Sequence, residues 1–143
     1  MSNREGFFWK AIDAGTELSP VATLLGWQLL DAGDGDRPFR VRFQGKPEFR
    51  NPAGNIQGGI LAAMLDETLS PALASLLGPG EFPATLEMKV SFIAPATVGE
   101  VFGEARIVSR GKTICFLEAH LRDGMARLVA TATATAMLQR LPG

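Results

Sequence analysis

Apolar residues change their spacing along this chain, and the changes mark its elements. Ile60, Leu61, Met64, Leu65, Leu69, Ala72, Leu73 and Leu76 recur at three- and four-residue intervals, the pattern of a buried helix. Gly78-Pro79-Gly80 would stop it. Pro71 lies inside the pattern and lacks the N–H that would bond the Glu67 carbonyl, so a kink or an early end is expected there. Beyond it the period falls to two. Leu86, Met88, Val90 and Phe92 alternate with Thr85, Glu87, Lys89 and Ser91. Val98 to Ser109 and Thr113 to Arg122 follow as strands, joined by a tight turn at Arg110-Gly111. In the last strand, Leu128 to Gln139, Ala130, Ala132, Ala134 and Ala136 share one face and Thr131, Thr133 and Thr135 the other. Small side chains in a row let a helix approach a sheet closely, and Thr favours the strand conformation.

The part before the long helix is less regular. Glu5 to Ala14 suits a short helix, and Ser19-Pro20 reads as an N-cap and first-turn pair. Trp27 to Leu30 and Phe39 to Phe43 read as strands around the turn-rich stretch Asp31 to Pro38. Short turns between strands imply antiparallel neighbours. The expectation is an α+β domain in which one long helix, early in the sequence, is wrapped by an antiparallel sheet.

At 143 residues the chain is long enough for one domain with a substantial core, so a single domain over 1–143 is expected. A formal net charge of −1 offers no general attraction to nucleic acid or to an anionic membrane, and neither is expected as a partner. Cys115 is the one cysteine, so no intrachain disulfide can form, and its alternation with Leu117 and Ala119 reads as core packing. The opening MSNREGFFWK lacks the apolar stretch of a signal peptide, and no segment has the ~18 continuous apolar residues of a membrane helix. A cytoplasmic protein is the expectation.

Candidate chemistry gathers in NPAGNIQGGILAAMLD, Asn51 to Asp66. The N–H of Gly58, at the helix start, could donate to an oxyanion, a contribution of roughly 3 kcal/mol to a transition state. Gly58 and Gly59 could equally serve a tight turn. Asp66 could be a general base, or a nucleophile towards an activated acyl group; it could also be a helix carboxylate that simply reaches solvent. Glu67 competes with it, and Ser70 lies one turn later on the same face, where it could position water or bond its own helix. Gly58 and Asp66 are eight residues apart, about 12 Å along a regular helix, whereas both must come within roughly 3 Å of one carbonyl carbon. One helix cannot supply both groups. Two antiparallel copies can, so a catalytic reading requires a homodimer with two equivalent sites.

His120 shares a strand face with Glu118 and Arg122, which favours a solvated outer face. A single His and no Cys/His cluster leave no metal site to expect. Ser-His-acid, P-loop and dinucleotide patterns are missing as well, and no cofactor is expected. Arg110 and Lys112 flank Gly111 in a turn that is either solvated or able to hold a phosphate.

These residues resemble the hotdog-fold acyl-CoA thioesterases of the phenylacetate-degradation type, related to 4-hydroxybenzoyl-CoA thioesterases. The family pattern N-x-x-G-x-x-H-G-G, followed by an acid, is matched by Asn51, Gly54, Gln57, Gly58, Gly59 and Asp66. The similarity extends through PATLEMKVSFIAPATVGE and the S-R-G-K-T turn from Ser109 to Thr113, covering about five-sixths of the chain. It implies a hotdog fold in dimers that often pair into tetramers, with sites at the dimer interface. By position it implies Gly58 as oxyanion donor and Asp66 as base or nucleophile. Asn51 would orient the thioester or the water, and Ser70 and Thr85 would supply hydroxyls that place water. Gly59 would lie against the substrate, and Arg110, Gly111 and Lys112 would meet the nucleotide end of CoA. The family's usual His is Gln57 here, which can donate and accept hydrogen bonds but cannot serve as an acid or base near neutral pH.

Hydrolysis of an acyl-CoA thioester to free acid and CoA is therefore the expected function. The alternative is a non-catalytic acyl-CoA or acyl-carrier binding protein. A hydratase or dehydratase is less favoured, because such sites typically need a catalytic His and His120 is misplaced.

Overall fold

A computed structural model describes residues 4–140; residues 1–3 and 141–143 lie outside it, and with them the extreme ends of the expected domain and of the opening segment. The elements run α1 (Phe7–Ala14), α2 (Pro20–Leu24), β1 (Gln28–Asp31), β2 (Phe39–Gly45), a 3-10 turn (Pro47–Phe49), α3 (Gly58–Ala74), β3 (Glu81–Phe92), β4 (Gly99–Arg110), β5 (Ile114–Asp123) and β6 (Leu128–Arg140). The expected elements are present with ends shifted by a few residues. Ser19 caps α2 as expected: its Oγ accepts from the Ala22 N–H at 3.0 Å, with Pro20 in the first turn.

The six strands form one antiparallel sheet in the order β1-β2-β4-β5-β6-β3. Phe39, Val41 and Phe43, then Val101 and Ala105, Cys115, Leu117 and Leu121, and the four alanines of β6 are buried on the face that receives α3. Register is interrupted between Thr85 and Glu87 and between Ile107 and Ser109. Such bulges increase local twist and bend the sheet around its helix. The helix lies closest at Gly103 of β4, where an added Cβ would stand 2.4 Å from Thr68 Oγ1. A glycine there is what lets helix and strand touch.

Pro71 does not end α3. The helix continues to Ala74, and the Glu67 carbonyl that Pro71 leaves unbonded accepts the indole N–H of Trp27 at 2.9 Å. Trp9 does the same beyond the helix end, donating to the Ser75 carbonyl at 2.8 Å. Two tryptophans from the irregular N-terminal segment thus satisfy carbonyls that would be costly to bury unpaired.

β3 departs from the burial that its alternation suggests. Leu86 is 53% exposed and Phe92 57%. The reason is position: β3 is an edge strand, with β6 on one side and no neighbour among the described residues on the other, and Leu86 falls in the bulge. Among the described residues no helix is long and apolar enough to cross a membrane.

Candidate active site

The start of α3 is held by main-chain bonds. The Gln57 N–H donates to the Phe49 carbonyl at 2.8 Å, and the Gln57 carbonyl accepts from Ile60 and Leu61 at 2.9 and 3.1 Å. Two first-turn donors are left over: the N–H groups of Gly58 and Gly59 have no partner among the described residues. They sit at the positive end of a seventeen-residue helix. The Gln57 side chain is exposed and makes no cap.

Asn51 shapes the preceding loop. Its Oδ1 accepts from the Ala53 and Asn55 N–H groups at 3.0 and 3.1 Å, which leaves Nδ2 as the group it can offer outward. Gly54, at φ 88°, makes the turn possible. Asn51 and Gly58 line a cavity of about 370 Å³ together with Leu61, Phe92, Ile93 and Pro95. Gly58 has an intrachain reason to be glycine, since an added Cβ would stand 3.2 Å from the Phe92 ring. Gly59 has none, because a Cβ there would meet nothing within 4 Å. Glycine inside a helix costs roughly 1 kcal/mol relative to alanine, so this chain alone does not explain it.

Asp66 lies elsewhere. Its Oδ1 accepts the Thr85 hydroxyl at 3.0 Å, joining two residues that the sequence places nineteen positions apart. Ser70 is half-buried one turn on, its hydroxyl without a partner among the described residues. Glu67 faces a drier environment: burial first, and the neighbouring Asp66 second, raise its carboxyl above the usual carboxylate range. Asp66, Thr85 and Ser70 thus form one group at the middle of α3, and Gly58 with Asn51 forms another at its start.

The Arg110–Lys112 turn belongs to the Asp66 side. Arg110 pairs with Cys115, Cys115 with Ala136 and Ala136 with Thr85, so one ladder across four strands connects the turn to Thr85. Arg110 and Lys112 are exposed and carry no ion pair among the described residues. Gly111 is explained by the turn itself, because an added Cβ would stand 2.6 Å from the Ile114 carbonyl oxygen.

His120 lies on the outer face of the sheet, away from α3, with Nε2 at 3.3 Å from Glu104 Oε2. Burial lowers its pKa, opposed by Glu104 and reinforced by Arg122 and Arg106. A second cavity of about 540 Å³, lined by Lys89, Glu104, Arg106, Glu118 and His120 among others, lies on that face. Neither cluster on α3 opens into it. Sequence reasoning gave Phe92 only as one position of the β3 alternation and did not single out the loop from Ile93 to Ala96. Exposure on an edge strand leaves no mark in an alternating pattern.

Comparison with known proteins bears on the fold and the family. Residues 53–130, more than half the chain, match the thioesterase superfamily. A Ralstonia eutropha JMP134 protein described as a "putative thioesterase, phenylacetic acid degradation-related protein" is 34% identical, with a TM-score of 0.84 over 92% of this chain and 99% of that one. A thioesterase family protein from Silicibacter pomeroyi is 27% identical, with a TM-score of 0.82 over 96% and 100% of the two chains. A Halobacterium salinarum protein named "putative esterase" is 30% identical over 97 residues, 66% of this chain and 64% of its own length. The long helix in its curved antiparallel sheet is the hotdog fold of the phenylacetate-degradation type of thioesterase. The chain belongs to the thioesterase superfamily, and hydrolysis of a thioester is the activity its relatives support.

Proposed function

We propose that this protein hydrolyses acyl-CoA thioesters at a site shared by two copies of the chain, each folded as a single hotdog domain. One observation carries the reading: donors without a partner among the described residues stand at the Gly58 start of α3, and a carboxylate held by Thr85 stands at Asp66, midway along the same helix. Neither cluster is a complete site, and each supplies what the other lacks.

The edge strand supports a way to join them. Gly58 lies against Phe92 and Asp66 against Thr85. A twofold axis crossing β3 at Lys89, with the bulge between Thr85 and Glu87 taking up the odd residue, brings Phe92 of one copy opposite Thr85 of the other. It then brings Gly58 of one copy towards Asp66 of the other, with the two α3 helices antiparallel. Long edge strands with exposed apolar residues are natural templates for a second strand, and Leu86, Phe92 and Ile93 are each more than half exposed.

In the proposed reaction the thioester oxygen sits on the Gly58 N–H. Asp66 of the other copy takes a proton from water as the water oxygen attacks the carbonyl carbon. The C–S bond breaks, the thiolate leaves and takes up a proton, and the products are acid and free CoA. Attack by Asp66 itself, giving an anhydride that water opens, uses the same groups. A thiolate is a good leaving group, so the route needs no strong acid in place of Gln57. Asn51 would orient the thioester through Nδ2, and Thr85 and Ser70 would place the water. Open space at Gly59 would admit the substrate, and Arg110 and Lys112 would receive the phosphates at the nucleotide end of CoA. A tetramer of two dimers would leave both sites intact.

Thiol release from a panel of acyl-CoA thioesters tests this. Asp66→Asn is expected to lower kcat by about a hundredfold or more, with Glu67→Gln retaining most of it. Full activity in Asp66→Asn removes Asp66 from its role. Gln57, exposed and free of any cap, is the observation that keeps a second reading alive: tight CoA binding with no turnover across the panel would identify an acyl-CoA or acyl-carrier binding protein.

A further inference from the structure

We infer that Phe92 is a specificity-determining residue, its ring forming the wall of a pocket that admits compact, uncharged acyl groups; the inference rests on the shared-site reading above. Three observations converge on this side chain. Its ring stands 3.2 Å from where a Cβ on Gly58 would be, so it packs against the residue assigned as oxyanion donor. It is 57% exposed, so it does not serve chiefly as core. It also borders the cavity of about 370 Å³ that opens beside Gly58, with Leu61, Ile56, Ile93 and Pro95 as its apolar neighbours.

The chemistry of that lining selects the ligand. Among the described residues no Asp, Glu, Lys, Arg or His lines the cavity. A charged acyl group entering it would lose its hydration without gaining a counterion, a strongly unfavourable exchange. Apolar surface, in contrast, is welcomed by Leu61, Ile93 and the Phe92 ring. Direction follows from the other end of the substrate. Arg110, which shares a ladder with Thr85 on the side of Asp66, and Lys112 in the same turn are cations with no ion pair among the described residues. With CoA drawn towards that side in one copy, the acyl group points the opposite way, into the cavity beside Gly58 of the other. Phe92 then stands between the donor of its own chain and Thr85 of the second copy, where its bulk limits the acyl group.

The test compares kcat/KM for acetyl-, butyryl-, benzoyl-, dodecanoyl- and succinyl-CoA in the wild type, Phe92→Leu and Phe92→Ala. Wild type is expected to prefer butyryl- over succinyl-CoA by ~10-fold or more, and Phe92→Ala to shift the dodecanoyl/butyryl ratio upward by ~10-fold, with Phe92→Leu between. An unchanged ratio with equal losses on every substrate would overturn the inference and make Phe92 a structural or CoA-side contact. Equal turnover of succinyl- and butyryl-CoA would overturn the uncharged class. Melting temperature and sedimentation of each variant separate these outcomes from misfolding. Thiol release from none of the substrates by wild type would instead overturn the proposed hydrolysis, a result distinct from unaltered ratios in an active enzyme.

Discussion

Asp66 and Glu67 are adjacent carboxylates in different surroundings. Asp66 is aligned by the Thr85 hydroxyl at 3.0 Å, whereas burial and then Asp66 raise the pKa of Glu67 above its ordinary 4.5. The folded chain therefore holds the Glu67 proton to higher pH than the unfolded chain does. That contribution to stability is complete below the unfolded pKa and is lost as pH rises through the raised one. Glu67→Gln, which is neutral at every pH, is expected to raise Tm near pH 7 and leave it unchanged below about pH 4; a thermal melt series across pH checks this. His120 runs the other way. Burial lowers its pKa below 6.5, so stability is full above that value and falls as pH drops through the lowered one. His120→Gln is expected to flatten the melting curve as pH falls below about 6.5 while leaving stability near pH 8 little changed. The candidate status of Asp66 and Gly58 was visible in residue types and spacing, since a carboxylate within an apolar helix and a glycine pair at its start are both unusual. The different environments of Asp66 and Glu67 were not visible, because they depend on what the other elements place against the helix.

At the scale of elements, α3 illustrates how a local rule is overridden. Pro71 removes one hydrogen bond, and the pattern suggested a kink or an early end. The Trp27 indole, forty residues away, bonds the released carbonyl at 2.9 Å, and the helix runs one more turn to Ala74. Trp27→Phe keeps the ring and removes the donor. It is expected to cost about 1–2 kcal/mol and lower Tm by roughly 3–8 °C in a thermal melt. A neutral result would mean that water satisfies the Glu67 carbonyl equally well. The strands repeat the lesson at β3: its period of two was legible, but its place at the sheet edge follows from strand order, which periodicity does not encode.

For the whole molecule the deciding feature is the separation of Gly58 from Asp66. Helix rise makes a shared site necessary under the proposal that Gly58 and Asp66 act on one carbonyl, and the exposed β3 edge supplies a surface on which two copies can meet. A Met88→Cys/Lys89→Cys double variant is expected to give disulfide-linked dimers on oxidation: the two side chains point to opposite faces of one strand and do not bridge each other, whereas the one on the twofold axis faces its own copy. Sedimentation of the wild type as a monomer, or failure of the double variant to cross-link, would remove the proposed register. Sequence by itself determined the order of elements, the long helix in an antiparallel sheet, the glycine pair at the helix start and the incompatibility of both candidate groups with one helix. Those follow from periodicity and fixed helical geometry, which are local. Tertiary structure alone decided that Thr85 meets Asp66, that Phe92 flanks Gly58, that Trp27 rescues Pro71 and that β3 stands at the edge. Each of these is a contact between segments far apart in the chain, set by how the sheet curls around its helix and not by the residues next door.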